Sequence, residues 1–343
     1  MKSSLLRRRA LLSGAAVAFL FIIACGPGPR RPEPANLFWP LPPDPPRIHY
    51  LESIYSEDDI GRVYNLKEKL FGKDYVDSLV RPYGVSARGS KILVSDIGLR
   101  AVVVFDLKTK RISVLGGEGG LVLPSAAVEA SDGSIYVVDA GGGRIVKYDP
   151  QGQYETSFRF DAARPVGMAL NENLGRLYIV DRASRRVIVC SLDGKQLFSF
   201  GGRGVEDGKF NIPLDVALDR QGRVYVLDSG NFRVQIFTPE GAFLSKFGGV
   251  GDRPGFFANP KGIALDSDQH VYVTDAAFSN FQIFDADGHL RLFVGGLGSA
   301  PGEFHLPGGI SIDEHDRIYV ADQLNGRIEV FQYLKAAGPE RKP

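Results

Sequence analysis

The chain has 343 residues, of which 44% are hydrophobic, 10% aromatic and 24% charged, with 41 basic against 40 acidic side chains. That apolar content excludes a disordered chain, two cysteines exclude a disulfide scaffold, and the near-balance of charge excludes a nucleic-acid binder driven by bulk charge. Glycine, at 41 residues, is well above the ordinary share of about 7%, and with many Val, Ile, Tyr and Phe it predicts short strands joined by many turns.

The first segment reads as an address. Arg7, Arg8 and Arg9 form a basic start, and the apolar run from Ala10 to Ala24 follows. At about 1.5 Å per residue that run makes a helix of about 22 Å, short of a membrane core of about 30 Å, so 1–24 is a secretory signal. Ile22-Ile23-Ala24-Cys25 resembles a bacterial lipobox, in which Cys25 becomes the lipidated first residue. Arg8-Arg9 with Ala10-Leu11-Leu12 also resembles a twin-arginine signal. Loss of 1–24 removes Lys2 and three arginines but no acid, leaving 37 basic against 40 acidic residues, a net −3. An anionic membrane or nucleic acid then exerts no bulk attraction. Cys190 remains as a single thiol, best read as packing. Nine of the 21 residues in 26–46 are proline. With Cys25 they form a tether, 25–46, that reaches up to about 65 Å as extended polyproline. It holds Trp39, which docks on the following domain or sits at the lipid surface.

The rest is one repeat seen six times. A strand ending in Asp recurs at Asp96, Asp139, Asp181, Asp228, Asp275 and Asp322. Each is preceded by a proline opening another apolar segment, Pro82, Pro124, Pro165, Pro213, Pro260 and Pro307, at spacings of 42, 41, 48, 47 and 47. A third strand, such as RVQIF at 233–237, and after a hairpin turn a fourth, such as FLSKF at 243–247, complete the unit. Four short antiparallel strands in about 45 residues make a propeller blade. The prediction is therefore an all-β, six-bladed β-propeller over 47–335, followed by a polar tail, 336–343. The sixth repeat stops after its third strand, and an orphan strand at Arg47–Ile54 supplies the missing fourth, closing the ring without an open edge. Val63, Leu66, Leu70 and Phe71 recur at helical spacing and predict a short N-terminal helix over 61–72.

This pattern resembles the NHL repeat: a proline-opened strand, a YVxD strand, an Arg-led third strand and a Gly-Gly-x-Gly…Phe-x-x-Pro link. The link occurs at 201–213, 248–260 and 295–307. Absence of Trp from 47–335 argues against a WD40 propeller. Ala101 and Asn280 stand where other blades have Arg. A lipobox, a Pro-rich tether and the opening PPRIHYL resemble exported bacterial six-bladed NHL lipoproteins. That resemblance implies a lipid-anchored protein of the cell envelope. Gly26 stands where enterobacterial lipoproteins carry the Asp that retains them in the inner membrane, which points to the outer membrane.

Candidate residues fall into two groups. Asp139/Arg144, Asp181/Arg186, Asp228/Arg233 and Asp322/Arg327 flank equivalent loops. A pair repeated blade after blade serves the blade: the Asp ties loop N–H groups and the Arg orients it. The Gly-rich links fit no phosphate-binding loop and supply positive φ and close approach. The second group rings the channel on the face bearing the links. Two residues after each proline stand Gly84, Ala126, Gly167, Asp215, Gly262 and Gly309, and beside the prolines stand Arg81, Tyr83, Arg164, Asn259 and Lys261. This mixture suits an anionic or polar ligand. His49, His270, His289, His305 and His315 show no metal-ligand spacing, so no metal, cofactor or catalytic residue is assigned. The expected function is that of a monomeric, lipid-anchored binding or scaffold module. It would present the link face to an envelope protein or small polar ligand, and not to nucleic acid. The alternative is a metal-dependent envelope enzyme of the propeller lyase, lactonase or hydrolase kind.

Overall fold

The computed structural model describes residues 36–62, 78–116, 120–160 and 164–335. Six antiparallel sheets follow one another along the chain. Blade one runs from the axis outward as Pro82–Arg88, Lys91–Asp96, Ala101–Asp106 and Arg111–Leu115. The other innermost strands are Pro124–Glu129, Pro165–Asn171, Pro213–Leu218, Pro260–Leu265 and Pro307–Ile312. Each begins at the predicted proline, which has no N–H to give to a ladder and is tolerated as a first strand residue. The register slips directly after it in every blade, as at Pro82/Gly84 and Pro213/Asp215.

Second strands are buried on both sides: Ile135–Asp139, Val224–Asp228 and Val271–Asp275 contain no exposed residue. They therefore read as continuous apolar runs rather than as alternation. What covers them is the next blade. The apolar clusters lie between blades, not within them. Tyr178 and Val189 of blade three pack with Val216 and Phe237 of blade four, and Ile92 and Phe105 of blade one pack with Tyr319 and Ile328 of blade six. Phe210, Phe257 and Phe304 reach in from the links and are fully buried. A Cβ on Gly248 or Gly295 would lie 2.5 Å from the Phe257 or Phe304 ring, and both glycines have positive φ (95° and 105°). The spacing from Gly-Gly to Phe thus records one wedge that only glycine admits. Cys190 is buried, and burial pushes its thiol up to about 12, as expected of a packing residue.

Blade six closes as predicted. Ile48–Ile54 pairs with Arg327–Tyr333, Ile48 opposite Tyr333 and Ile54 opposite Ile328. A further strand is added: Phe38–Trp39 pairs with His49 and Ile48. Phe38 stacks on His49 at 4.3 Å between ring centroids, and Trp39 meets Phe331 edge-on at 5.8 Å. Of the two positions open to Trp39, the structure shows docking on the blade. The folded unit thus reaches back into the proline-rich 25–46. Phe38 and Trp39, without proline, keep the N–H groups that a strand needs. The signal peptide, Cys25, the tail 336–343 and nearly all of the predicted helix over 61–72 lie outside the described residues.

The closing blade carries its own latch. In blades four and five the middle of the third strand holds Gln235 and Gln282. Each accepts a link N–H (from Gly208 at 2.9 Å and Gly255 at 2.6 Å) and donates to a link carbonyl. Blade six has Glu329 instead. Its Oε2 accepts from Ser53 on the closing strand at 2.7 Å, and its Oε1 pairs with Arg327 at 2.8 Å. Arg327 also meets Asp322 at 2.9 Å, Tyr55 at 3.1 Å and three link carbonyls. Burial pushes Glu329 up to about 7 while Arg327 pulls it down. Arg327→Ala strands two buried carboxylates and should cost about 3–5 kcal/mol. Arg233→Ala, facing one fully buried carboxylate, should cost less. Denaturant unfolding reads both, and equal costs would remove the latch.

Candidate functional site

The channel narrows where the inner strands carry small residues. A Cβ on Gly167 would lie 2.7 Å from the Leu214 carbonyl, one on Gly262 2.9 Å from the Gly308 carbonyl, and one on Gly309 3.0 Å from Gly84 Cα. The waist is built of backbone, and side chains are excluded by contact between neighbouring blades. Asp215 is the exception. Its Oδ1 accepts from Val216 N–H at 2.9 Å and its Oδ2 from Ile263 N–H of blade five at 3.1 Å. Burial pushes its carboxyl up to about 7 against these two donors.

Around the waist lies a cavity of about 120 Å³, lined in part by Tyr83, Val85, Met168, Asp215, Lys261 and Ile263. Burial, then the Asp215 charge, raises Tyr83, while Arg182 and Arg164 oppose the shift. Burial, then Arg182, holds Lys261 below the usual lysine range. Of the predicted mouth residues, Tyr83, Asp215 and Lys261 line this cavity, while Arg164 stands outside the lining and bears on Tyr83 through its charge. Arg81 and Asn259 stand at the rim, outside the cavity lining, with their N–H groups bound to Asp96 and Asp275 at 3.0 Å. Arg182 was missed. It follows the Asp that ends the second strand, where other blades have Ile97, Ala140, Ser229, Ala276 and Gln323. Reading down that column would have exposed it.

The repeated Asp residues hold this mouth in place. All six are fully buried. Each accepts N–H groups from the residues just before an opening proline: Asp96 from Val80 at 2.8 Å, Asp139 from Leu123 at 2.9 Å, Asp181 from Arg164 at 2.8 Å, Asp228 from Asn211 at 2.9 Å, Asp275 from Ala258 at 2.8 Å and Asp322 from His305 at 2.7 Å. Arginine partners close at 3.1 Å for Asp139–Arg144 and 3.2 Å for Asp228–Arg233. In blade three Ser184 bridges, donating to Asp181 and accepting from Arg186 at 3.0 Å.

Comparison with known proteins agrees with this geometry. Residues 210–237 match the family model of the NHL repeat, and 265–334 match one described as a 6-bladed beta-propeller. This is a six-bladed β-propeller carrying an NHL repeat. Similar solved propellers include virginiamycin B lyase from Staphylococcus aureus, at 14% identity, 74% of this chain, 96% of that one and a TM-score of 0.56. A protein of unknown function from Bacteroides thetaiotaomicron shows 16% identity over 75% of this chain and 70% of the other, with a TM-score of 0.60. The calcium-binding protein regucalcin from Agrobacterium tumefaciens shows 14% identity, 74% and 90% coverage and a TM-score of 0.56. At such identities the likeness is one of fold.

The opposite face of the propeller opens wider, into a bowl of about 1150 Å³ rimmed by the hairpins after the inner strands. Its carboxylates serve their own loops. Asp266 and Asp313 accept hairpin N–H groups, a Tyr hydroxyl (3.0 Å from Tyr272, 3.2 Å from Tyr319) and a bond from His270 or Arg317 at 2.8 Å. Among the described residues, ligand-type side chains group within 4.8 Å at Asp285, Asp287 and His289, on an outer hairpin of blade five and not at the waist.

Asp215 makes the waist sensitive to pH. Its folded pKa of about 7 exceeds the ordinary 3.8, so its contribution is fully present below pH 3.8 and is lost as pH rises through about 7. Asp215→Ala, which copies Ala126, should therefore gain on the native chain by at most about 1.4 kcal/mol per pH unit across that window, less where channel water screens the charge. Urea unfolding of both proteins at several pH values reads the difference, and a pH-independent gap would refute it.

Proposed function

We propose that this propeller is a binding module of the bacterial cell envelope, anchored by lipid on Cys25. Its recognition site is the link-side mouth of the channel, and its ligand is a polar molecule or protein segment bearing an anionic group. The supporting observation is the convergence of Arg164, Arg182 and Lys261 around Tyr83 and one carboxyl. Burial and Arg182 together disfavour the charged form of Lys261. An anion in the mouth relieves that repulsion, and below pH 7 a protonated Asp215 adds a donor. The propeller-enzyme reading has in its favour the likeness of fold to a lyase and to a calcium-binding protein. It asks for several ligands around one ion, and the waist offers Asp215 alone among cations.

Replacing Arg164, Arg182 and Lys261 together by alanine should abolish capture of ligand from an envelope extract by the immobilised protein, with the unfolding midpoint held. Undiminished capture would sink the site, and a stoichiometric divalent ion lost with Asp215→Ala would move the assignment to the enzyme. For the anchor, Cys25→Ser should eliminate incorporation of radioactive palmitate in cells. Persistent label would place the lipid elsewhere.

A further inference from the structure

The two faces of the ring differ in charge. Exposed Arg81, Arg100, Arg164, Arg203, Lys209 and Arg253 all lie on the link face, and none has a carboxylate partner among the described residues. Of the acids there, Asp207 is paired with Lys246 and Arg233, and Glu303 accepts the N–H of Ala300 in its own loop. Among the described link residues, Glu206 and Asp252 are left to oppose the cations. On the far face the hairpins interleave acids such as Asp132, Glu172, Asp268 and Glu314 with cations such as Lys108, Lys195 and Arg220. The net −3 of the mature chain conceals the exposed cations of the link face, because a sum discards position.

The same basic face carries apolar side chains. Val205, Val250 and Leu297 stand on three successive links at 69%, 69% and 73% exposure. Arg203, Val250 and Leu297 occupy equivalent places, each bridged to the wedge phenylalanine of its link. Aliphatic tips set among unpaired guanidinium groups suit an anionic interface, where the cations meet headgroup phosphate and the tips enter the acyl boundary.

The path of the chain points the same way. The closing strand runs from the far edge, at Ile48 opposite Tyr333, to the link edge, at Ile54 opposite Ile328. Phe38–Trp39 lies antiparallel to it, so Asn36 and Leu37 lead back along the closing strand toward its link end, Leu37 accepting from Tyr50 N–H at 3.0 Å. Leu37 and Trp39 abut Gly302 of the last link. From Cys25 to Leu37 the proline-rich segment can span roughly 35 Å at about 3.1 Å per residue.

We infer that the link face docks on the surface of an anionic lipid bilayer. This rests on the binding reading above and names its partner. On a docked ring the mouth opens onto headgroups, and its anionic ligand is a lipid phosphate rather than a solute. An acidic envelope protein would leave Val205, Val250 and Leu297 unexplained by charge alone and gives no reason for Asn36 and Leu37 to lead toward the link end.

The test uses the chain from Gly26 onward, which carries every described strand and no lipid, in co-sedimentation with vesicles. Binding is expected to phosphatidylcholine vesicles containing about a third phosphatidylglycerol, not to phosphatidylcholine alone, and should fade in about 0.5 M salt. Arg203→Glu with Arg253→Glu should weaken it at least about tenfold. Val250→Asp with Leu297→Asp should weaken it as well, whereas Lys195→Glu, on a far-face hairpin, should not. Circular dichroism checks that each variant is folded. Absence of binding to the anionic vesicles, or equal binding by the Arg203/Arg253 variant, overturns the proposal. If the vesicles are ignored while an envelope protein is captured through the cationic mouth, the lipid partner falls and the binding module stands. The unlipidated chain keeps this result independent of Cys25.

Discussion

A blade of this protein has two apolar faces, and only another blade can cover them. Val224–Asp228 has no exposed residue, and each of the six apolar clusters is shared between neighbouring sheets. An open array would leave one face bare at each end. The ring must therefore close, and the rest of the structure follows from that demand. Closure is made non-covalently by Ile48–Ile54, which is why blade six differs from its siblings. Where Gln235 and Gln282 each bond a link carbonyl, Glu329 reaches across to Ser53 on the closing strand. A carboxylate there would be costly alone, and Arg327 compensates it while tying five further groups together.

Closure also makes the site. With six blades packed around one axis, the inner strands approach until a Cβ at Gly167, Gly262 or Gly309 would collide with the next strand. The buried Asp residues then fix the chain just ahead of each inner strand, so that side chains beside the prolines are carried to the rim by structure that every blade shares. The residues that support the mouth are thus repeated, while those that give it chemistry are not.

That division explains what could be read in advance. The period, the prolines, the Asp column and the closing strand are consequences of a blade needing a neighbour, and they stand in the sequence six times over. Tyr83, Asp215 and Lys261 were legible because they break columns of small or apolar residues at known offsets. Arg182 breaks a column too, one that was not compared. Trp39 was hidden by composition, since the prolines around it advertise an extended tether while two proline-free residues suffice for a strand. The exposed cations of the link face were illegible to a net charge for a stronger reason. A sum discards position, and links and hairpins alternate along the chain while lying on opposite sides of the ring.

The exceptions are not scattered. Tyr83 and Lys261 each follow an opening proline where the other blades place Ser125, Val166, Leu214 and Gly308, and Asp215 interrupts the waist. Arg182 interrupts the column after the Asp. They come from blades one, five, four and three, far apart in the chain, yet Arg182 acts on both Tyr83 and Lys261, and Asp215 on Tyr83. Packing alone asks every blade for the same residue. Departures that served only a local fit would have no reason to meet. These meet at one mouth, on the face where Arg81, Arg164, Arg203 and Arg253 are exposed and have no carboxylate partner among the described residues. Their convergence is thus the physical basis of the proposal that recognition occurs there.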